Sequence, residues 1–167
     1  MKETLVYRDA TLQDLPSVVA IYNSTVPSRL VTADTEQVTV AHKEAWFTAH
    51  NTYNRPLWMV ETTHGNLVGW ISFQDFYGRP AYKGTVEISI YLDEKQRKKG
   101  YGREILRHAL REAPTMGIHT ILAFIFAHNS PSLKLFSDEG FEKWGNLPDI
   151  AVLDGIHRSL VILGRKV

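Results

Sequence analysis

Two glycines and four basic side chains lie within seven consecutive residues of the sequence. Gly100 and Gly102 lack a Cβ, so successive backbone N–H groups there can approach an anion closely. A helical pattern follows, and the N-terminus of a helix adds unpaired N–H groups and partial positive charge. The basic side chains are those of Arg97, Lys98, Lys99 and Arg103. This combination suits a diphosphate, although a solvated basic turn before a helix would have the same composition.

Two established phosphate-binding patterns are missing from this sequence. There is no Gly-x-x-x-x-Gly-Lys-Ser/Thr pattern, which weakens the case for ATP hydrolysis. Ile105 stands where Gly-x-Gly-x-x-Gly would place its third glycine, which weakens the case for dinucleotide binding. The diphosphate would therefore belong to another kind of ligand.

Residues 97–102 resemble the Arg/Gln-x-x-Gly-x-Gly/Ala signature of the GNAT superfamily of N-acetyltransferases. A second element resembles that family's Asn-x-x-Ser-x-x-Leu-x-x-x-x-Gly-Phe pattern, and it consists of Asn129, Ser132, Leu135, Gly140 and Phe141. Residues 8–11 with Asp14 are similar to the family's first strand and helix, so the resemblance covers essentially the whole chain. Within the family, residues 21–23, 76–82 and 85–91 resemble the phosphinothricin and methionine sulfone acetyltransferases.

The resemblance implies that acetyl-CoA is the co-substrate and that no metal takes part. In this family, the strand before the glycine turn splays from its neighbour and pairs its backbone with the pantetheine arm. The pyrophosphate then lies on the glycine turn, and the second element contacts the cofactor further along. The implied cofactor-binding residues are Ile90, Tyr91, Leu92, Arg97, Lys98, Lys99, Gly100, Tyr101, Gly102, Arg103, Asn129 and Ser132.

Glu87 is the predicted general base. An amine acceptor is mostly protonated at neutral pH, so a group that accepts its proton, directly or through one water, is needed. Glu87 lies on the strand predicted to hold the cofactor, and the resembled subgroup has a glutamate there. The alternative is an ordinary strand carboxylate or an ion-pair partner.

Arg79 is the predicted anchor for the acceptor, because a guanidinium pairs bidentately with a carboxylate, phosphinate or similar pair of oxygens. It lies in the loop that lines the acceptor pocket of the resembled subgroup, and the alternative is a surface arginine. The other predicted acceptor-binding residues are Phe76, Tyr77, Tyr82, Glu87 and Ser89, and Arg29 is a weaker candidate.

Phe136 departs from the family pattern. Many members place a tyrosine just after the leucine of the second element, where it can protonate the leaving thiolate. Phenylalanine cannot donate a proton, so water or the substrate ammonium would have to serve. His128 is a weaker catalytic candidate, near in sequence.

Composition limits the remaining classes of function. The formal net charge is +1 over 167 residues, which argues against a dedicated nucleic-acid binder. There is no cysteine, and the seven histidines show no paired metal-ligand spacing, so we expect neither disulfides nor a metal site. We find neither a signal-peptide pattern nor an apolar run long enough to span a membrane, and therefore expect a cytoplasmic protein.

Seven strand-like and four helix-like segments must position these residues. Predicted strands cover residues 5–8, 57–61, 67–73, 85–92, 120–126, 150–153 and 156–163, with Asp154-Gly155 as a hairpin turn. Predicted helices cover residues 11–23, 38–50, 102–112 and a segment capped by Ser130 and ended by Gly140. The order β-α-α-β-β-β-α-β-α-β-β predicts one α+β (α/β) domain, residues 1–167, with a mixed, largely antiparallel sheet.

The predicted function is transfer of an acetyl group to the amine of a small amino-acid-like acceptor, such as phosphinothricin, methionine sulfone or methionine sulfoximine. One alternative is a protein or peptide N-terminal acetyltransferase, which needs an open groove. Another is a non-catalytic acetyl-CoA sensor, favoured by Phe136. The resemblance also implies a homodimer.

Overall fold

The computed structural model describes residues 2–167, so Met1, which the predicted domain includes, lies outside the described residues. The strands are β1 (Leu5–Asp9), β2 (Leu57–Thr62), β3 (Leu67–Asp75), β4 (Thr85–Leu92), β5 (Thr120–Phe126), β6 (Glu142–Leu153) and β7 (Ile156–Lys166). The α-helices are α1 (Leu15–Thr25), α2 (Val40–Thr48), α3 (Tyr101–Glu112) and α4 (Ser130–Asp138). This order of elements confirms the one predicted from the sequence.

The seven strands form one sheet in the spatial order β1-β2-β3-β4-β5-β7-β6. Every neighbouring pair is antiparallel except β4 and β5, which are parallel and joined through α3. The predicted mixed, largely antiparallel sheet is thus confirmed. None of the helices described between residues 2 and 167 is long and apolar enough to cross a membrane.

β4 and β5 separate at the middle of the sheet. They pair only from Thr85 to Glu87 on β4 and from Thr120 to Leu122 on β5. β5 nevertheless keeps pairing with β7 as far as Phe126, and β4 keeps pairing with β3 as far as Leu92. The carboxyl-terminal half of β4 therefore has one edge without a strand partner, which confirms the predicted splay.

Each face of the sheet buries its own apolar cluster. On one face, Val86 packs with Ile105 and Leu106 of α3. On the other face, α1 contributes Val18 to a cluster that includes Trp70 of β3. Because side chains alternate along a strand, β4 sends even-numbered residues toward α3 and odd-numbered residues toward α1 and α2.

Several helix and strand ends differ from the sequence-based predictions, among them the starts of three helices. The first helix is preceded by a separate 3₁₀ turn, Leu12–Asp14, whose entry is fixed by Asp14 accepting from the Thr11 backbone N–H at 2.7 Å. The helix α4 is capped by Asn129, not by Ser130, since the Asn129 Oδ1 accepts from the Ser132 N–H at 3.3 Å. The helix α3 begins at Tyr101, one residue earlier than predicted.

Strand β6 is the largest correction, because it begins at Glu142 and the sequence predicted only residues 150–153. Its pairing with β7 shifts register twice, between Lys143 and Gly145 and between Leu147 and Ala151. Pro148 lies within the second irregularity, where a missing N–H is tolerated on an edge strand. These irregularities break the two-residue alternation on which strand prediction relies.

Candidate active site

The turn that precedes α3 has the backbone geometry of an anion cradle. Gly100 caps the helix with φ of 80°, a left-handed conformation that glycine adopts without strain. Lys98, two residues earlier, also has a positive φ of 62°. The first N–H groups of α3 have no partner within the helix, and they point out of its N-terminus beside these residues. Such a turn can donate several backbone N–H groups to one anion.

Arg97 and Lys99, two of the basic residues of the turn, already have protein partners. Arg97 donates to the Leu92 carbonyl at 3.2 and 3.3 Å and to Ser24 Oγ at 3.1 Å, so it fastens the turn to β4 and α1. Lys99 Nζ donates to the Gln96 side chain at 3.0 Å. These contacts position the turn.

Two further turn residues are held by the helices. Arg103 pairs with Asp138 of α4 at 2.8 Å, which joins the start of α3 to the end of α4. Tyr101 is buried in the core beneath α3. A Cβ added at Gly102 would lie 3.4 Å from a methyl group of Leu135, so this glycine faces protein rather than ligand.

A cleft of about 430 Å³ opens where β4 and β5 separate. Ile90 and Tyr91 of β4 line one wall, and residues 123–126 of β5 line the other. Leu92 lies outside the lining of the cleft, with its carbonyl taken by Arg97. The free edge of β4 thus borders this cleft.

The second sequence element closes the far end of this cleft. Asn129 is buried, and its Nδ2 donates to the Leu30 carbonyl at 3.1 Å while its Oδ1 caps α4. His128 forms a similar link, with Nε2 at 2.7 Å from the Arg29 carbonyl. Asn129 and Ser132 both line the cleft. These contacts hold the loop after α1 against the start of α4.

Phe136 also lines the cleft, where the family often places a proton donor. Its ring is buried and packs edge-on against Phe141 at 4.9 Å between centroids. The side chain therefore contributes an apolar wall and no exchangeable proton.

A second, smaller pocket of about 220 Å³ lies on the face of β4 that is turned toward α1 and α2. Glu87, Ser89 and Tyr91 project into it from β4. Opposite them in register on β3 are Gln74, Ser72 and Trp70, of which Gln74 and Trp70 also line the pocket. Val18, Val19, Tyr22, Lys43 and Trp46 complete the lining from the two helices.

Glu87 and Ser89 border both spaces, the cleft and the pocket. Burial raises the pKa of the Glu87 carboxyl above its ordinary value of 4.5. A carboxylate with a raised pKa is a better proton acceptor at neutral pH, so the shift suits a general base. Glu87 lies where a ligand in the cleft and a ligand in the pocket would meet.

Tyr22 connects the pocket to the loop that follows α1. Its hydroxyl lies 2.5 Å from Thr32 Oγ1 and also contacts the Asp34 carboxylate. Burial, followed by Asp34, raises the pKa of the phenol to about 12, so it stays protonated at neutral pH. Thr32 lines the cleft, and Tyr22 thus fixes one wall that the cleft and the pocket share.

The predicted acceptor loop lies apart from Glu87 within a single chain. Phe76, Tyr77 and Tyr82 form an aromatic cluster, with the Phe76 and Tyr77 rings 4.5 Å apart. Arg79 is exposed and lines a separate shallow depression with Asp75 and residues of the same loop. Of the predicted acceptor-binding residues, only Glu87 and Ser89 share the pocket beside the cleft.

Residues 4–142 match the acetyltransferase (GNAT) domain family. The chain belongs to the GNAT family of acetyltransferases. It is 54% identical over 163 residues, 98% of this chain and 99% of the relative, to a Bacillus subtilis protein named "Putative phosphinothricin acetyltransferase YwnH". It is 33% identical to the L-methionine sulfoximine/L-methionine sulfone acetyltransferase of Pseudomonas paraeruginosa, over 86% of this chain and 83% of the relative.

A solved GNAT structure shares the fold and carries the donor. The phosphinothricin acetyltransferase of Sinorhizobium meliloti in complex with AcCoA superposes with a TM-score of 0.90 at 26% identity, covering 98% of this chain and 89% of that one. The sequence-based assignment to the GNAT superfamily and to its fold is therefore confirmed.

Sequence reasoning missed seven of the ten residues that line the second pocket of this GNAT domain. Lys43, Trp46, Trp70 and Gln74 line it, and none was a candidate. Gln74 could have been predicted from the register of the β3–β4 hairpin. It pairs with Glu87, and residues that pair across neighbouring strands lie on the same face of the sheet. Lys43 and Trp46 lie three apart on α2, but nothing local indicates which element they face.

Proposed function

We propose that the chain is an acetyl-CoA-dependent N-acetyltransferase whose acceptor is the amino group of a small amino-acid-like molecule. The observation that carries the proposal is the position of Glu87, on the wall between the splayed cleft and the second pocket. The cleft accommodates the pantetheine arm along the free edge of β4, and the glycine turn accommodates the pyrophosphate. Names of the relatives support this class of acceptor.

The chain's own residues supply binding, orientation and a proton acceptor. Acetyl-CoA, when bound, supplies the thioester carbon that the amine attacks. Glu87 takes one proton from the acceptor ammonium, directly or through one water, and thereby exposes the nitrogen lone pair. The C–N bond forms as the C–S bond breaks. The nitrogen then loses a second proton, which neutralises the leaving thiolate directly or through water. Phe136 has no exchangeable proton to supply in its place.

The size of the second pocket supports a small acceptor. Its volume of about 220 Å³ lies below the ~300–1,000 Å³ typical of sites for drug-sized ligands. Ser89 offers a hydroxyl beside the amine, and the loop of Phe76, Tyr77, Arg79 and Tyr82 remains the predicted second contact region. A peptide N-terminus would need an open groove on this face.

The direct test is the release of free CoA with a panel of acceptors. We expect turnover with one or more of phosphinothricin, methionine sulfone, methionine sulfoximine and unmodified amino acids. Calorimetry with acetyl-CoA, run in parallel, separates binding from turnover. Binding without release for any acceptor would indicate a sensor, whereas release with peptides alone would indicate an N-terminal acetyltransferase.

The same proposal includes a homodimer in the cytoplasm. The β6–β7 hairpin exposes large apolar side chains, which are Trp144, Leu147, Ile150 and Val152 on the long edge strand β6 and Ile156 at the start of β7. Such an edge invites pairing with a second copy. Light scattering should give twice the chain mass, and Val152→Lys should halve it. A wild-type monomer at all concentrations would contradict the dimer, and recovery outside the cytoplasmic fraction of expressing cells would contradict the location.

A further inference from the structure

Five side chains that line the pocket bordered by Glu87 contact one another in a closed ring. Tyr22 and Tyr91 lie 5.2 Å apart, Tyr91 stacks on Trp70 at 4.5 Å, and Trp70 meets Trp46 at 5.4 Å. Lys43 closes the ring, with Nζ 4.5 Å from the Tyr22 centroid and 5.2 Å from the Trp46 centroid. Four aromatic rings and one ammonium group therefore contribute to the lining of the pocket.

The Lys43 ammonium is oriented but not neutralised. Aromatic faces attract a cation without accepting a proton or supplying a negative charge. None of the ion pairs found between residues 2 and 167 involves Lys43. Among the described residues that line the pocket, Lys43 is the single cation and Glu87 the single carboxylate. The pocket thus presents one positive and one negative group on opposite elements, α2 and β4.

This charge pattern complements an α-amino acid. Such an acceptor carries an ammonium and a carboxylate on the same carbon, and Glu87 attracts the ammonium while Lys43 attracts the carboxylate. The acceptor carboxylate and the Glu87 carboxylate would repel each other, and binding to Lys43 keeps the two apart. Arg79 cannot fill this role within one chain, since it is exposed beside a different depression.

We propose that Lys43 binds the α-carboxylate of the acceptor and thereby makes the enzyme selective for amino acids over simple amines. The inference rests on the proposed function and names the substrate contact of the same site. Lys43 is a specificity-determining residue here, while Glu87 remains the proton acceptor. The two aromatic rings beneath the ammonium hold it in place before the acceptor arrives, which reduces the entropy lost on binding.

The test compares L-methionine sulfone with its carboxamide, which keeps the amine and the side chain but lacks the negative charge. Lys43→Met preserves the length and packing of the side chain and removes its charge. We expect kcat/KM for the carboxylate to fall about 10- to 100-fold, as for loss of a hydrogen bond to a charged group, with the carboxamide changed much less. Lys43→Arg should recover part of the preference, and the KM for acetyl-CoA should stay constant.

Lys134→Met is the matched control, because it removes one positive charge from an exposed site on α4 that pairs only with Asp138. If Lys43→Met lowers kcat/KM equally for both acceptors, the residue serves packing alone. This inference is then overturned, while the proposed function stands. If the wild-type protein acetylates neither compound nor any amino acid, the proposed function itself fails, and the inference fails with it.

Discussion

The two sides of β4 are built to hold their ligands in different ways. On the edge toward β5, the strand offers free backbone groups, and the glycine turn continues this backbone surface at its far end. On the face toward α1 and α2, it offers side chains, with Glu87, Ser89 and Tyr91 projecting into an aromatic pocket. In the proposed function, one strand thus combines a backbone site for the donor with a side-chain site for the acceptor.

This difference predicts which substitutions should affect acetyl-CoA and which should affect the acceptor. A backbone site depends on φ and ψ and on the absence of a Cβ, so most side-chain changes leave it intact. A side-chain site depends on charge and shape, and it can change specificity without disturbing the fold. Substitutions on the two sides should therefore separate acetyl-CoA binding from acceptor turnover.

Glu87→Gln should give the largest effect, confined to the acceptor side. The amide cannot accept the ammonium proton, so we expect kcat to fall about 100-fold or more, in the range that general bases contribute. Calorimetric binding of acetyl-CoA should be nearly unchanged. The wild-type kcat/KM should decline as pH falls through the raised pKa of Glu87, and the variant should lack this decline.

Glu44→Gln provides the control, because it makes the same chemical change at an exposed position of α2. Near-normal turnover of Glu87→Gln across the pH range would remove Glu87 as the base, and the two sides of β4 would no longer divide the work as described.

Gly100→Ala should give the next largest effect, on the donor side. The φ of 80° costs alanine about 1–2 kcal/mol, so the Kd for CoA should rise roughly tenfold or the turn should relax at a similar cost in stability. Gly102→Ala is the matched comparison, since its Cβ meets Leu135 at an ordinary contact distance. Calorimetry with CoA should show little change there, and a larger loss at Gly102 than at Gly100 would contradict this account of the cradle.

The glycine turn and the splay of β4 could be predicted from the sequence because the parts of this region are close together along the chain. Gly100 and Gly102 belong to one turn, and the splay of β4 follows from a family resemblance that those residues carry. The acceptor side could not, because α1, α2, β3 and β4 meet there only after folding. Lys43 and Trp70 are separated by 27 positions, and no local pattern indicates that they line one pocket.

The same reasoning explains the errors in the fold. Strand β6 has two register shifts and a proline, so its alternation fails over residues that still pair with β7. The predicted role of Arg79 stays a prediction, and within one chain this residue lines a depression separate from Glu87. Sequence patterns report local geometry well, and they report convergence of distant elements poorly.

Trp70→Phe should have a smaller effect, again on the acceptor side. The indole Nε1 donates to the Val18 carbonyl at 3.1 Å, and the ring stacks on Tyr91, so Trp70 fixes α1 against the pocket. The loss of one hydrogen bond of this kind weakens binding by a factor of about three to ten, and we expect the acceptor KM to rise by this factor. Trp58→Phe, in the cluster on the opposite face of the sheet, controls for lost packing. Equal rises in acceptor KM for both variants would contradict a local role for Trp70.

The smallest expected effect concerns stability, and it has the opposite sign from the loss of activity. Because burial raises the pKa of Glu87, the folded protein holds this proton more tightly than the unfolded chain does. The stability that Glu87 contributes in its protonated form is fully present below pH 4.5, and it is lost as the pH rises through the raised pKa. The amide introduced by Glu87→Gln does not titrate, so this variant should melt above the wild type at pH 7 and near it at pH 4. An equal rise in melting temperature at both pH values, or the same rise in Glu44→Gln, would show that the Glu87 carboxylate does not destabilise the folded protein. The buried position of the base would then have no cost in stability.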